Sequence, residues 1–115
     1  MEYDAYLPHI NVNDGKTRVM NNLALYTRLL GKFKGREMTD GLLEAIKAGD
    51  NAKAIQQAHA LRGTAANLGF PVLHEVTEKI ETLCKSEADC AHLCGDLDNA
   101  ITSLDEAIGA FIAAQ

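Results

Sequence analysis

The run Ala58-His59-Ala60-Leu61-Arg62-Gly63-Thr64-Ala65-Ala66-Asn67-Leu68-Gly69 decides how this chain folds. Extended back to Ala54, it sets Ala54, Ala58, Leu61, Ala65 and Leu68 at steps of three and four, the apolar stripe of one helix face. At about 100° per residue, His59 lies roughly 140° from the middle of that stripe, so its imidazole is expected in water. The face around it carries Ala52, Ile55, Gln56, Arg62, Gly63 and Ala66, with no carboxylate among them. A solvent face normally bears long charged side chains; this one is pared down around a single histidine. A mid-helix glycine costs about 1 kcal/mol relative to alanine, so Gly63 points to a need for space, and close approach by another protein is the simplest one.

Working outward, helical periodicity recurs and strand-like alternation is missing. The stretch to Val12 reads as extended, with Pro8 keeping Leu7 out of helix. Asn13 is placed to cap a short helix to about Met20, and a second begins near Asn21 with Val19, Leu23, Tyr26, Leu30 and Phe33 inward. Thr39 is read as the cap of a helix from Asp40 to Ala48, with Leu42, Leu43 and Ile46 inward and Gly49 as its stop. Asp50 caps the His59 helix, which runs to Gly69. Pro71 opens the next helix, whose inward set is Leu73, Val76, Ile80 and Leu83. A last helix from Ser86 or Glu87 carries Cys90, Cys94, Leu97, Ile101, Leu104, Ile108 and Phe111 on one stripe, with Gly95 marking a place for a kink. Four long helices with short connections predict an all-α, antiparallel up-down four-helix bundle with one or two short additional N-terminal helices.

The composition bounds the function. A length of 115 residues, 47% of them hydrophobic, fits a single domain spanning residues 1–115 with its own core. A net charge of −5 argues against nucleic acid as a partner, because phosphate contacts need a basic surface. There is no basic cluster and no long apolar segment, so no membrane association is expected. Three cysteines do not suggest a disulfide framework, and a reducing, cytoplasmic setting is the expectation. Cys90, His92 and Cys94 cluster, but Cys90 and Cys94 fall on the core stripe, so no metal site is read there. The acids Glu75, Glu78 and Glu81 read as a solvated face, as do Asp96, Asp98 and Asp105.

His-x-Leu-Arg-Gly, followed by Gly69 near the helix end, resembles the signature of histidine phosphotransfer (HPt) domains of bacterial multistep phosphorelays, where His-x-Leu-Lys-Gly is usual. Gly49-Asp50 before the helix is similar to the family's entry to the phosphohistidine helix. Leu73, Val76, Ile80 and Glu81 match its following helix, and Ile10 to Phe33 is similar to its opening helices. The likeness runs to about Cys84, and beyond that it is one of helical character only. One position departs: Arg62 stands where lysine is commonest, keeping the charge on a planar, bulkier group.

The resemblance implies that His59 accepts a phosphoryl group from a receiver-domain aspartate and passes it to another receiver aspartate. A neutral imidazole is a nucleophile near pH 7, and phosphoryl transfer depends mainly on positioning and charge neutralisation. Arg62 is the expected neutralising cation and Gly63 the clearance for the partner. Gln56, one turn before His59, is placed to hydrogen-bond the imidazole or the phosphoryl oxygens, and Ala52, Ile55, Gln56 and Ala66 form the expected docking surface. The chain has no nucleotide-binding glycine motif and no magnesium cluster. It is thus expected to carry no cofactor and to act as a covalent carrier, not an enzyme, with magnesium supplied by the partner receiver. Expected partners are receiver domains of response regulators or a hybrid histidine kinase, met by a monomer. Two other readings remain: a phosphoacceptor phosphorylated directly by a histidine kinase, and a non-catalytic response-regulator docking bundle.

Overall fold

The computed structural model, which describes residues 2–115, is built around the helix Asn51–Leu68. In chain order the helices are α1 (Val12–Thr17), α2 (Leu23–Lys32), α3 (Gly35–Lys47), α4 (Asn51–Leu68), α5 (Pro71–Lys85) and α6 (Cys94–Ala113). Short 3-10 turns at Asp4–Tyr6 and Ala91–Leu93 precede α1 and α6. No strand occurs among the described residues.

Helix α4 starts where Asp50 accepts a hydrogen bond from the Lys53 amide at 3.1 Å. It ends at Gly69, whose φ of 79° is the left-handed conformation that glycine adopts without strain. The Gly69 and Phe70 amides both donate to the Ala65 carbonyl, and Pro71 then opens α5. Ala54, Ala58, Leu61 and Ala65 are almost wholly buried. Three of these four are alanines, which lets neighbours approach closely, and α4 packs against both α3 and α5. Helix α6 packs against the same two, burying Leu97, Ile101, Leu104, Ile108 and Phe111. The result is an all-helical bundle.

The N-terminal helices close one end of it. The Asn11 amide donates to the Gly69 carbonyl at 2.7 Å, and the Tyr26 hydroxyl donates to the Leu68 carbonyl at 2.5 Å. Burial, reinforced by the Asp14 charge, raises the Tyr26 phenol above its ordinary range, so it stays protonated as the donor. Gly15 sits so close that a Cβ there would lie 2.5 Å from the Leu68 carbonyl oxygen. The rings of Tyr3 and Tyr6 lie 6.1 and 5.2 Å from that of Phe111, tying the first residues to the end of α6.

Several boundaries differ from the sequence expectation. The first cap is Asn11, not Asn13: its side chain accepts from the Asp14 amide, and α1 stops at Thr17. The stretch before it contains a 3-10 turn and is not uniformly extended, although Leu7 keeps the extended backbone that Pro8 imposes. Thr39 caps nothing. Helix α3 begins at Gly35, so Thr39 is an interior, fully buried residue and the inward set becomes Thr39, Leu42 and Ala45. Leu43 and Ile46 are only half-buried. In α5 the buried positions include Thr77, Glu81 and Cys84, while Val76 and Leu83 are half-buried. Helix α6 starts at Cys94, eight residues later than Ser86, because Glu87 takes a φ of 55° and the chain leaves the helix there. Cys90 is buried but precedes the helix, and Gly95 lies in its first turn, so no kink is needed.

Candidate functional site

His59 stands mid-way along α4 with its side chain 65% exposed. The imidazole is not alone. Glu81, on α5, places Oε2 2.9 Å from Nδ1 of His59 and Oε1 2.6 Å from Nε of Arg62. Lys85, one turn further along α5, brings Nζ to 3.0 Å from the same Oε2. The Glu81 residue is only 4% exposed, and its position follows from the hairpin. His59 lies ten residues before Gly69 and Glu81 eleven after Phe70, so two helices joined by a two-residue turn bring them level.

Burial of the Glu81 carboxyl pushes its pKa up. Hydrogen bonds from Lys85, His59 and Arg62 outweigh that and hold it down at about 2. Glu81 is therefore an anion at neutral pH and an acceptor only. An anion facing Nδ1 favours the tautomer with its proton there, and the other nitrogen, Nε2, keeps the lone pair. Nε2 makes no hydrogen bond to the described residues. Arg62 also brings an Nη2 within 3.1 Å of Nδ1. A protonated Nδ1 cannot accept from it, so the Arg62–Nδ1 approach is a contact between two donors that Glu81 holds together.

The reading of Glu81 as part of a solvated face is thus corrected. Glu75 and Glu78 are exposed, and Glu75 pairs with Lys79 at 3.2 Å, but Glu81 is buried against the histidine. The face of α4 itself lacks a carboxylate, as its sequence shows; the neighbouring helix supplies one. Arg62 is accordingly not a free cation. Its Nε is committed to Glu81, and its side chain remains 30% exposed. Gln56 is exposed and makes no hydrogen bond to His59. It lines an open groove of about 750 Å³ between α3 and α4, together with Lys34, Glu37, Met38, Gln57 and Ala60. Of the other expected docking residues, Ala52 is exposed while Ile55 and Ala66 are half-buried, and Ile55 packs against the core. At Gly63 an added Cβ would meet nothing within 4 Å. The same holds at Gly95 and Gly109, so openness alone is not distinctive; proximity to His59 is.

No group of three or more His, Cys, Asp or Glu among the described residues is arranged to hold a metal ion. None of the helices is long and apolar enough to cross a membrane.

The Hpt domain family matches the chain over residues 34–107, which is 74 of 115 residues. The chain belongs to the Hpt domain family, whose members are phosphocarrier modules of histidine phosphotransfer in phosphorelays and work with receiver and kinase domains. Neither curated proteins nor solved structures yield a match. The matched span begins at Lys34, so α1 and α2 fall outside it, whereas the likeness read from the sequence began at Ile10. It also runs through α6 to Ala107, well past Cys84.

Proposed function

We propose that His59 is the phosphoacceptor of this domain, taking a phosphoryl group from the aspartyl phosphate of one receiver domain and giving it to the aspartate of another. The observation that carries this reading is the exposed imidazole whose Nδ1 is held by Glu81 while Nε2 is left free. In the forward step the Nε2 lone pair attacks phosphorus, the bond from phosphorus to the aspartyl oxygen breaks, and the carboxylate leaves with its electron pair. The imidazole becomes a cation, and Glu81, already hydrogen-bonded to Nδ1–H, stabilises it as the orienting carboxylate of a catalytic triad does. Arg62 keeps Nε on Glu81 and has its terminal N–H groups to offer to the phosphoryl oxygens. Gly63 leaves room for the partner's loops. Magnesium belongs to the partner receiver, which holds the aspartyl phosphate.

The docking surface in this reading combines Ala52, Ile55, Gln56 and Ala66 with the α3–α4 groove. The architecture that presents it is an antiparallel up-down four-helix bundle of α3 to α6. In support, Asn51 at the start of α4 donates to the carbonyl of Cys84 at the end of α5, over 2.7 Å. The domain is read as a cytoplasmic monomer.

The experiment is to incubate the protein with a panel of phosphorylated receiver domains and assay phosphate that is acid-labile and base-stable. The wild type is expected to take label, and His59→Gln to take none while keeping its helical circular dichroism. Label on the His59→Gln protein would refute the assignment. Label gained only from a histidine kinase with ATP, and from no receiver, would replace the relay by direct phosphorylation.

A further inference from the structure

Cys84, at the last turn of α5, and Cys90, just before the 3-10 turn that leads into α6, bring their sulfur atoms to 3.8 Å. Both thiols are reduced and buried, at 3% and 5% exposure. Both also line a cavity of about 150 Å³, walled by Ala45, Ile46, Asn51 and Asp89 among others. The cavity admits a molecule the size of water. Between the two cysteines, Ser86, Glu87, Ala88 and Asp89 are exposed and outside any helix.

We propose that Cys84 and Cys90 form a peroxide-oxidisable thiol pair that closes to an intramolecular disulfide. This proposal does not depend on the phosphotransfer reading. A disulfide needs sulfur atoms about 2.05 Å apart, so closing requires an approach of about 1.7 Å, which the four non-helical residues can supply without unwinding either helix. In the first step one thiolate attacks an oxygen of hydrogen peroxide, the O–O bond breaks and hydroxide leaves, giving a sulfenic acid. The second thiolate attacks that sulfur, hydroxide leaves again, and the S–S bond forms. The two thiols lose two electrons and two protons, and peroxide is reduced to two waters.

Cys94 is the third thiol of the cluster and is half-exposed on α6. It is not the partner proposed. The rate follows the thiolate fraction. Burial first, and the neighbouring thiols after it, push the Cys84 thiol up to about 11, so the Cys84 thiolate is scarce at neutral pH and grows as pH rises.

The test treats the folded full chain with hydrogen peroxide, quenches, unfolds it, and alkylates the remaining thiols for mass spectrometry. The expected result is one alkylated cysteine, a mass lower by two hydrogens before alkylation, and a peptide joining Cys84 to Cys90. Oxidation should be faster at about pH 9 than at about pH 7. Cys84→Ala and Cys90→Ala should each lose the disulfide, and Cys94→Ala should retain it. Three alkylated cysteines in the treated wild type, a bridge to Cys94, or a disulfide between chains would each overturn the proposal. Should an alanine at a buried position unfold the chain, Cys94→Ala still decides, since loss of the bridge in that variant also overturns it.

Discussion

Glu81 Oε2 lies 2.9 Å from His59 Nδ1, although 22 residues of chain separate them. The carboxylate is buried and the imidazole is exposed, so the contact fixes the ring without covering it. This relationship leaves the lone pair on Nε2, the nitrogen that would attack phosphorus in the proposed transfer, since the proton follows the hydrogen bond. Glu81→Ala should therefore populate the Nε2–H tautomer, visible in the nitrogen NMR shifts of the imidazole. Phosphoryl acceptance should slow by about 10- to 100-fold, the range seen when a metal-ligating histidine loses its orienting partner. An unchanged tautomer ratio would show that Glu81 does not orient the ring.

The same carboxylate gives the fold a pH dependence. Its pKa is depressed from 4.5 to about 2, so the native state holds the anion more tightly than the unfolded chain does. That stability is fully present above about pH 4.5 and is lost as pH falls towards 2. A depression of this size is worth on the order of 3 kcal/mol. Urea midpoints taken between pH 6 and pH 2 should fall more for the wild type than for Glu81→Gln, which has no proton to gain at this position. Parallel pH curves for the two proteins would assign the acid sensitivity to other carboxylates.

Under the proposed function, Arg62 has two tasks that differ in geometry. Nε holds Glu81 at 2.6 Å, and the terminal nitrogens remain for a phosphoryl group. A lysine carries its three donors on one nitrogen, so it would have to serve both acceptors from a single point instead of from two ends of a planar fork. Arg62→Lys should keep the charge yet slow transfer several-fold, and Arg62→Ala should slow it further and shorten the lifetime of the phosphohistidine. Single-turnover transfer from a phosphorylated receiver separates these effects. Equal rates for all three proteins would place the guanidinium outside the reaction.

The sequence carried the fold further than it carried the site. The stripe Ala54-Ala58-Leu61-Ala65, the Asp50 cap and the Gly69 stop all stand in the structure, because each is written in local spacing. Thr39 misled because a threonine before an apolar run looks like a cap, and here its helix had begun a turn earlier, at Gly35. The late start of α6 was hidden because Cys90 fits the same apolar spacing from outside the helix. Glu81 was missed for a different reason. A helical wheel of α4 contains only the residues of α4, whereas the carboxylate comes from α5. Counting outward from the Gly69–Phe70 turn would have set Glu81 level with His59 and shown that one acid of three was not solvated.

Gly63, proposed as clearance for a partner, and Gly15, packed within the chain, lead to opposite expectations. At Gly15 a Cβ would lie 2.5 Å from the Leu68 carbonyl oxygen and 2.6 Å from the Tyr26 hydroxyl, so Gly15→Ala must push α1 off the end of α4. A loss of about 1–3 kcal/mol is expected there, as for other overpacked sites. At Gly63 a Cβ meets nothing within 4 Å, and an alanine removes the mid-helix glycine penalty. Gly63→Ala should thus raise stability by about 0.5–1 kcal/mol. Gly63→Gln should be at least as stable as the wild type yet transfer phosphate more slowly, because a long side chain now stands one turn from His59. Denaturant unfolding and receiver-to-His59 transfer rates, measured on the same preparations, check both halves. A Gly63→Gln protein that transfers at the wild-type rate would mean that no partner comes close at that turn, and the glycine would need another explanation.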